Sequence, residues 1–145
     1  MIICDTSGLV AAYAATDPRQ RQVTDLLGND PGPLILSPFV LAELDYLMAT
    51  RTGTRAELKV LSDVASGLYT LAEFDRFDVG QAATLVQQYQ QLNIGIADAS
   101  LVVLAAKYRT TRLLTFDEKH FRAIRPVHGA AAFTILPADG RPASI

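Results

Sequence analysis

Four acidic side chains stand beside strongly apolar segments of this 145-residue sequence: Asp5, Glu43, Asp98 and Asp117. Two of them, Asp5 and Asp117, directly follow short apolar runs that are typical of buried strands. Carboxylates gathered in one partly desolvated pocket repel each other, so such a pocket calls for a divalent cation. Oxygen ligands favour Mg²⁺ or Mn²⁺. An ion held in this way can activate water for phosphodiester hydrolysis.

Each of these acids also has a purely structural interpretation. Asp5 and Asp117 both precede segments that could begin a helix, where aspartate commonly caps the backbone. Asp98 falls in the first turn of an apolar helix, where its charge would face the helix dipole. Glu43 could be a surface acid, although its place beside the apolar stripe of its helix favours a buried rim, with Asp45 on the solvated side. Function therefore depends on whether the four carboxylates meet.

Alternating strands and helices must position these acids. The pattern predicts an α/β fold: a three-layer sandwich with a mainly parallel central sheet of about five strands. Ligands of such sheets bind beyond the carboxyl ends of the strands, where Asp5 and Asp117 would lie. The predicted strands are Met1–Cys4, Leu34–Leu36, Leu68–Phe74, Arg112–Phe116 and Phe133–Leu136, and the predicted helices are Gly8–Ala15, Asp17–Leu27, Phe39–Thr50, Arg55–Ser66, Val79–Leu92, Ala97–Tyr108 and Glu118–Ile124.

The composition predicts a soluble, cytoplasmic protein made of one domain, residues 1–145. Its hydrophobic fraction of 50% can fill one core, yet no apolar run reaches the roughly 20 residues of a membrane helix. The single cysteine, Cys4, cannot form an internal disulfide and suits a reducing compartment. We expect it to be a small buried hydrophobe.

The net charge of −2 gives no general indication of a polyanion-binding protein. A basic segment from Lys107 to Arg125 could nevertheless contact a phosphate backbone, or could be a solvated helix face. Further candidates for phosphate contacts are Arg19, Arg21, Arg51 and Arg55.

Other catalytic equipment is missing from the sequence. It has no G-x-S-x-G, no P-loop, no G-x-G-x-x-G and no cysteine–histidine pairing. We expect the two histidines, His120 and His128, to be solvent or loop residues, and neither has metal-ligand spacing, which argues against zinc. Any hydrolytic chemistry would therefore rest on the carboxylates.

Four segments, taken in order, resemble the PIN-domain ribonucleases and, more narrowly, the VapC toxins of bacterial toxin–antitoxin pairs. Each one contains one of the four acids, and together they extend over essentially the whole chain. The segments are IICDTSGL at 2–9, VLAELDYL at 40–47, GIADAS at 95–100 and LTFDEKHF at 114–121.

The resemblance implies a Mg²⁺- or Mn²⁺-dependent endoribonuclease with a four-acid pocket. Asp5 and Asp98 would bind metal directly, while Glu43 and Asp117 would bind a second ion or orient the water. Hydroxyl positions of the family match Ser7 and Thr115, which would position water or a ligand carboxylate. The resemblance also implies an RNA substrate, a homodimer and a VapB-type antitoxin whose C-terminal segment lies in a groove and blocks the site.

Two other functions stay open on sequence grounds. A phosphatase of the haloacid dehalogenase type also begins with a strand-terminal aspartate, but it would need a second aspartate where this chain has Ser7. A non-catalytic, partner-binding α/β module would use its acids as helix caps. In that case the four carboxylates would lie too far apart to share an ion.

Overall fold

A central sheet of five parallel strands organises the computed structural model, which describes residues 1–140. The strands are β1 (Ile2–Cys4), β2 (Leu34–Leu36), β3 (Thr70–Leu71), β4 (Arg112–Leu114) and β5 (Thr134–Leu136). Their order is β3-β2-β1-β4-β5, and every neighbouring pair is parallel. The strand order therefore reverses direction at the β1/β4 pair, which is where such sheets open a crevice for ligands.

Helices connect these strands and flank the sheet. Within residues 1–140 they are α1 (Thr6–Tyr13), α2 (Gln20–Asn29), α3 (Pro38–Leu47), α4 (Thr54–Ala65), α5 (Arg76–Gln88), α6 (Ile96–Lys107) and α7 (Glu118–Ala123), with a π-helical turn at Met48–Thr52 and a 3₁₀ turn at Gln90–Leu92. None of them is long and apolar enough to cross a bilayer.

The centre of the sheet is covered on both faces. Ile2, Ile3 and Cys4 are all fully buried, although successive strand residues point to opposite faces of a sheet. Residues 99–105 of α6 are buried without interruption, as expected for a helix that is apolar all round. The predicted three-layer α/β architecture is therefore confirmed, and the sheet is wholly rather than mainly parallel.

Cys4 is confirmed as a buried residue with a free thiol. Burial, followed by the nearby charges of Asp5 and Asp30, raises the pKa of this thiol to about 12. A thiol held protonated in this way is a poor nucleophile.

Several predicted element bounds were wrong, for identifiable reasons. The third strand was predicted at Leu68–Phe74, but only Thr70 and Leu71 pair, because this strand is the edge of the sheet and both residues are exposed. The second helix was predicted to have Asp17 as its cap and Pro18 in its first turn, but it begins at Gln20. Asp17 instead accepts a hydrogen bond from the Arg19 backbone N–H at 2.8 Å, which stabilises a turn before the helix.

Two other helices also differ from their predicted limits. The helix predicted to end at Thr50 changes at Met48 into a π turn, which closes where the Gly53 N–H donates to the Met48 carbonyl at 2.7 Å. The Gln-rich helix begins at Arg76 rather than Val79, because Asp75 and Asp78 form a capping box ahead of it.

Candidate active site

The four predicted acids line one pocket of about 330 Å³ at the carboxyl edge of the sheet. Asp5 follows β1 and Asp117 follows β4, so the central strand pair delivers two of them. Asp98 comes from the first turn of α6, and Glu43 comes from α3. The other residues that line the pocket are Thr6, Ser7, Val10, Arg19, Leu47 and Arg51.

Asp5 is the buried and most tightly held carboxylate of the pocket, only 5% exposed. Its Oδ2 accepts hydrogen bonds from Thr115 Oγ1 at 2.7 Å and from Ser7 Oγ at 3.0 Å. Its Oδ1 accepts one from the Thr6 backbone N–H at 2.8 Å, so Asp5 also caps α1. Burial raises the pKa of Asp5 despite these hydrogen bonds, and the charge of Asp117 raises it further.

Ser7 and Thr115 connect the two chain segments that form the floor of the pocket. The Ser7 hydroxyl oxygen accepts a hydrogen bond from the Phe116 N–H at 2.9 Å, and Thr115 Oγ1 accepts one from the Asp117 N–H at 3.0 Å. The two hydroxyl oxygens lie 3.2 Å apart. Both hydroxyls were predicted to position water or a ligand carboxylate, and the carboxylate that they contact is Asp5.

Gly8 permits this connection. A Cβ atom at this position would lie 2.8 Å from the Leu114 carbonyl oxygen, closer than real Cβ contacts. The first turn of α1 can therefore approach the end of β4 only because residue 8 has no side chain.

Asp98 contrasts with Asp5, because no hydrogen bond to its carboxylate occurs within residues 1–140. It does not cap its helix either, since Gly95 occupies that position. Burial raises the pKa of Asp98 to about 6, with further contributions from the charges of Asp5 and Asp117. The carboxylate is therefore desolvated and repelled by its neighbours, and it is free to bind a ligand.

Asp117 is paired with His120. Its Oδ2 lies 2.7 Å from His120 Nδ1, and its Oδ1 accepts a hydrogen bond from the His120 backbone N–H at 3.1 Å. Ligand atoms of Asp98, Asp117 and His120 all lie within 4.8 Å of one another, which makes the three a candidate metal group.

The prediction that His120 is a solvent or loop residue without ligand spacing was therefore wrong. It lies in α7, and its side chain is 23% exposed. The signal that could have identified it is its spacing of three residues from Asp117 across the first turn of a helix. His128, by contrast, lies in a loop as predicted.

The predicted exposures of Glu43 and Asp45 were also reversed. Glu43 lines the pocket but is exposed, whereas Asp45 is half-buried, and its Oδ1 is buried without a hydrogen-bond partner among the described residues. The reason is that α4 packs against α3 and the π turn. The neighbouring Asp45 carboxyl raises the pKa of Glu57, which belongs to α4.

Two of the four candidate arginines reach the pocket. Arg19 and Arg51 line it, whereas Arg21 and Arg55 do not. In the predicted basic segment, three side chains are used within the fold. Lys107 pairs with Asp78, Arg112 pairs with Asp30, and Arg122 pairs with both Glu118 and Asp139.

Comparison with known proteins decides the family of the chain. A sequence model of the PIN domain matches residues 2–125. This chain belongs to the PIN-domain family. It is 46% identical to Ribonuclease VapC26 of Mycobacterium tuberculosis (strain ATCC 25618 / H37Rv), over 136 residues that cover 94% of this chain and all of the relative. The resemblance noted in the sequence is thus confirmed.

Solved structures share the PIN-domain fold. Mycobacterium tuberculosis VapC20, a sarcin-ricin loop cleaving toxin, superposes with a TM-score of 0.76 at 23% identity, covering 87% of this chain and 100% of that chain. VapBC2 from Rickettsia felis, bound to a DNA fragment from its promoter, gives 0.63 at 22% identity, covering 87% and 95%. FitAcB from Neisseria gonorrhoeae gives 0.58 at 20% identity, covering 81% and 88%.

The PIN-domain assignment does not favour the two alternative functions. Where a haloacid dehalogenase-type phosphatase needs its second aspartate, the chain has Ser7, whose hydroxyl donates to Asp5. The cap interpretation is correct for Asp5 and Asp117, since both accept hydrogen bonds from the first turns of α1 and α7. These caps nevertheless line one pocket with Asp98 and Glu43, so capping does not exhaust their role.

The donor atoms of the PIN-domain pocket fit a hard divalent cation. Carboxylate oxygens dominate, and the buried Thr6 hydroxyl, which has no partner among residues 1–140, adds another oxygen at the lining. Burial raises the pKa of Asp5 and of Asp98, and neighbouring carboxylates raise both further, so a bound cation would offset the cost of charging these groups. His120 adds one nitrogen, which Mn²⁺ tolerates.

Proposed function

We propose that this PIN-domain protein is a Mg²⁺- or Mn²⁺-dependent endoribonuclease toxin, active in the cytoplasm, with residues 1–145 forming a single nuclease domain. The observation that carries the proposal is the convergence of Asp5, Glu43, Asp98 and Asp117 on one pocket. Its 46% identity to a protein named as a ribonuclease supports RNA as the substrate.

Each residue of the pocket has a distinct proposed role. Asp5 and Asp98 would hold the divalent ion directly, and Glu43 and Asp117 would complete its surroundings or hold a second ion. Such an ion, when bound, lowers the pKa of water and stabilises charge that develops on the phosphate. The chain then needs no covalent nucleophile of its own.

The hydrogen bonds explain how these roles would be divided. Asp5 is fixed by Ser7, Thr115 and the Thr6 N–H, so its carboxylate offers a rigid position to a ligand. Asp98 makes no such bonds within residues 1–140, so its oxygens remain available. His120 would orient Asp117 through the 2.7 Å contact, as outer groups orient ligands in metal sites generally.

A VapB-type antitoxin and a second copy of the chain are the proposed protein partners. Two of the similar structures, VapBC2 and FitAcB, bear the names of complexes of this type, which supports an antitoxin that blocks the acidic pocket. Large exposed hydrophobic side chains support protein interfaces. They include Tyr46 at 66%, Leu58 at 58%, Phe77 at 70% and Val127 at 57% exposure. A monomer at micromolar concentration by light scattering would contradict the homodimer.

The proposed activity is tested by RNA cleavage with purified protein, with Mg²⁺ or Mn²⁺ and with excess EDTA. We expect the wild type to cut RNA only with the metal, and Asp98→Asn to lower the rate at least about 100-fold while the protein stays folded. Sequencing the RNA ends that appear after brief induction would identify the substrate. Cleavage that persists in EDTA, or in Asp98→Asn, would contradict the proposal.

Metal binding is measured separately by calorimetry with Mn²⁺. We expect specific uptake by the wild type and strongly weakened uptake by Asp98→Asn. The matched control is Asp25→Asn, because Asp25 lies in α2, outside the pocket, with a side chain that is 68% exposed. This variant should bind Mn²⁺ as the wild type does.

A further inference from the structure

Arg19 is a fixed cation in a pocket otherwise dominated by acids. Its guanidinium lies over the Phe116 ring, with Cζ 3.9 Å from the ring centroid. Its Nε and Nη2 donate to the two carboxylate oxygens of Asp17, both at 3.1 Å. The side chain is therefore held on one face and along one edge, while Nη1 makes no hydrogen bond within residues 1–140.

Holding the Arg19 side chain in one orientation costs conformational entropy. An exposed arginine normally gives up about 2 kcal/mol of side-chain entropy when it is fixed, and an ion pair at the surface returns little. Here the side chain is 44% exposed, yet Asp17 and Phe116 fix it at the lining of the pocket. A guanidinium that is oriented before binding loses less entropy when a ligand arrives.

Arg51 reaches the same pocket from a second element. Glu43, Leu47 and Arg51 all line it, and they are spaced four residues apart along α3 and the π turn. In an α-helix this spacing drifts by about 40° per step, since each residue turns about 100°. The wider π turn at Met48–Thr52 rotates less per residue, so it returns Arg51 towards the line of Glu43.

Arg51 has no resident partner within residues 1–140, since its guanidinium forms neither an ion pair nor a hydrogen bond there. It is exposed, as is Arg19, whereas Asp5 is buried at the floor. The pocket thus has the buried Asp5 carboxylate at its floor and two exposed guanidinium groups in its lining, beside the exposed Glu43. A phosphodiester needs such positive groups, because its charge must be held near the acids without being repelled by them.

We infer that Arg19 and Arg51 form a clamp for the phosphate backbone of single-stranded RNA at the entrance to the acidic pocket. This inference rests on the proposed function and assigns to these two residues the task of positioning the RNA. Arg21, two residues from Arg19, lies outside the clamp because its side chain is 95% exposed and does not line the pocket.

The clamp is tested by measuring RNA affinity against salt. Asp98→Asn serves as the background, so that a fluorescent single-stranded RNA oligonucleotide stays intact in Mg²⁺ during anisotropy titrations. Arg19→Gln and Arg51→Gln should each lower the slope of log K against log [KCl] by about 0.7, the value for one phosphate contact on a single strand. The same relation gives about fivefold weaker binding at 0.1 M KCl.

Two further variants separate charge from structure. Arg21→Gln, the matched control, should keep both the slope and the affinity of the background. Arg19→Lys keeps the charge but loses the two-point contact with Asp17, so the slope should persist while the affinity falls. Unfolding curves of all variants confirm that they are folded.

The outcomes distinguish the clamp from the nuclease. Lower slopes for Arg19→Gln and Arg51→Gln, with Arg21→Gln unchanged, would establish the clamp. If the wild type cuts RNA but the slopes of Arg19→Gln and Arg51→Gln equal that of the background, the clamp alone would be overturned. A wild type that neither binds nor cuts RNA would overturn the clamp and the proposed function together.

Discussion

Carboxylates at the amino edge and at the carboxyl edge of the central sheet, where the strands begin and end, have opposite pKa shifts. At the amino edge, Asp30 precedes β2 and pairs with Arg112 of β4 at 2.7 Å. Burial alone would raise the pKa of Asp30, but the hydrogen bonds from Arg112 and the Gly32 N–H keep it below its usual value. At the carboxyl edge, burial raises the pKa of both Asp5 and Asp98.

This difference separates an acid that is paired within the fold from acids that are available to a ligand. Asp30 receives its cation from the chain itself, so its charge is already neutralised when folding is complete. The pocket acids are close to one another, and the described residues leave them repelling. A cation from solution would stabilise their arrangement, as expected of a metal site.

The largest predicted effect is that Asp5→Asn and Asp30→Asn change different properties, the first the cleavage rate and the second the free energy of unfolding. Asp5→Asn should lower RNA cleavage at least about 100-fold and leave the fold intact, because asparagine caps a helix as well as aspartate does. Asp30→Asn should keep cleavage within about twofold but lower the free energy of unfolding by about 1–2 kcal/mol. This is less than a fully buried pair would cost, because the Arg112 side chain is 38% exposed.

Cleavage rates and urea unfolding of the two variants make this measurement. The comparison breaks if Asp30→Asn loses activity as Asp5→Asn does, or if Asp5→Asn unfolds. Either result would mean that the two edges do not divide function from stability.

A smaller effect on the cleavage rate is expected from substitutions at the two ends of β4. At each end a threonine hydroxyl donates a hydrogen bond. Thr115 donates to Asp5 at 2.7 Å, and Thr110 donates to the Met1 carbonyl at 3.3 Å. Thr115→Val should slow cleavage about tenfold, because Asp5 loses an oriented donor. Thr110→Val, the matched control, should leave the cleavage rate unchanged. Equal rates for the two variants would contradict a role of Thr115 in holding Asp5.

The smallest predicted effect is on stability against pH in the metal-free protein. A carboxyl with a raised native pKa binds more protons folded than unfolded, so it destabilises the fold as pH rises from about 4 to the value of about 6 for Asp98. In EDTA the free energy of unfolding should therefore be larger at pH 5 than at pH 7. Asp98→Asn should reduce this difference.

Asp30 acts in a different pH range. Its pKa is lowered, so the stability that it contributes is present above the ordinary aspartate value of 3.8 and is lost only as pH falls below it. Urea unfolding at pH 3, 5 and 7 separates the two contributions. A wild type and Asp98→Asn with the same change between pH 5 and pH 7 would show that Asp98 is not desolvated.

Sequence patterns predicted the sheet and the candidate acids because both depend on local features. Buried parallel strands appear as apolar runs, and an acid after such a run must lie at the rim of the sheet. Convergence could not be derived from spacing, since Ser7 and Thr115 are 108 residues apart and meet only in the folded chain. The family resemblance, which supplied that convergence, is confirmed at the level of the PIN domain.

The errors have physical causes. The phase of α3 gives the angle between Glu43 and Asp45, but it does not say which neighbouring element will cover either side, and α4 covers Asp45. His120 approaches Asp117 across the first turn of α7, and this contact forms only when the helix does. The strand predicted at Leu68–Phe74 was too long, because hydrophobic content does not show whether a strand has a pairing partner on both sides.

The close approach of Gly8 to Leu114 has a practical consequence. A larger residue at position 8 would wedge α1 away from β4 and part Ser7 from Phe116, although every acid of the pocket would still be present. We therefore expect such a substitution to lower the activity of the protein by steric displacement, with all four acids retained. Substitutions at this glycine offer a route to inactive forms for structural work that does not alter the charge of the molecule.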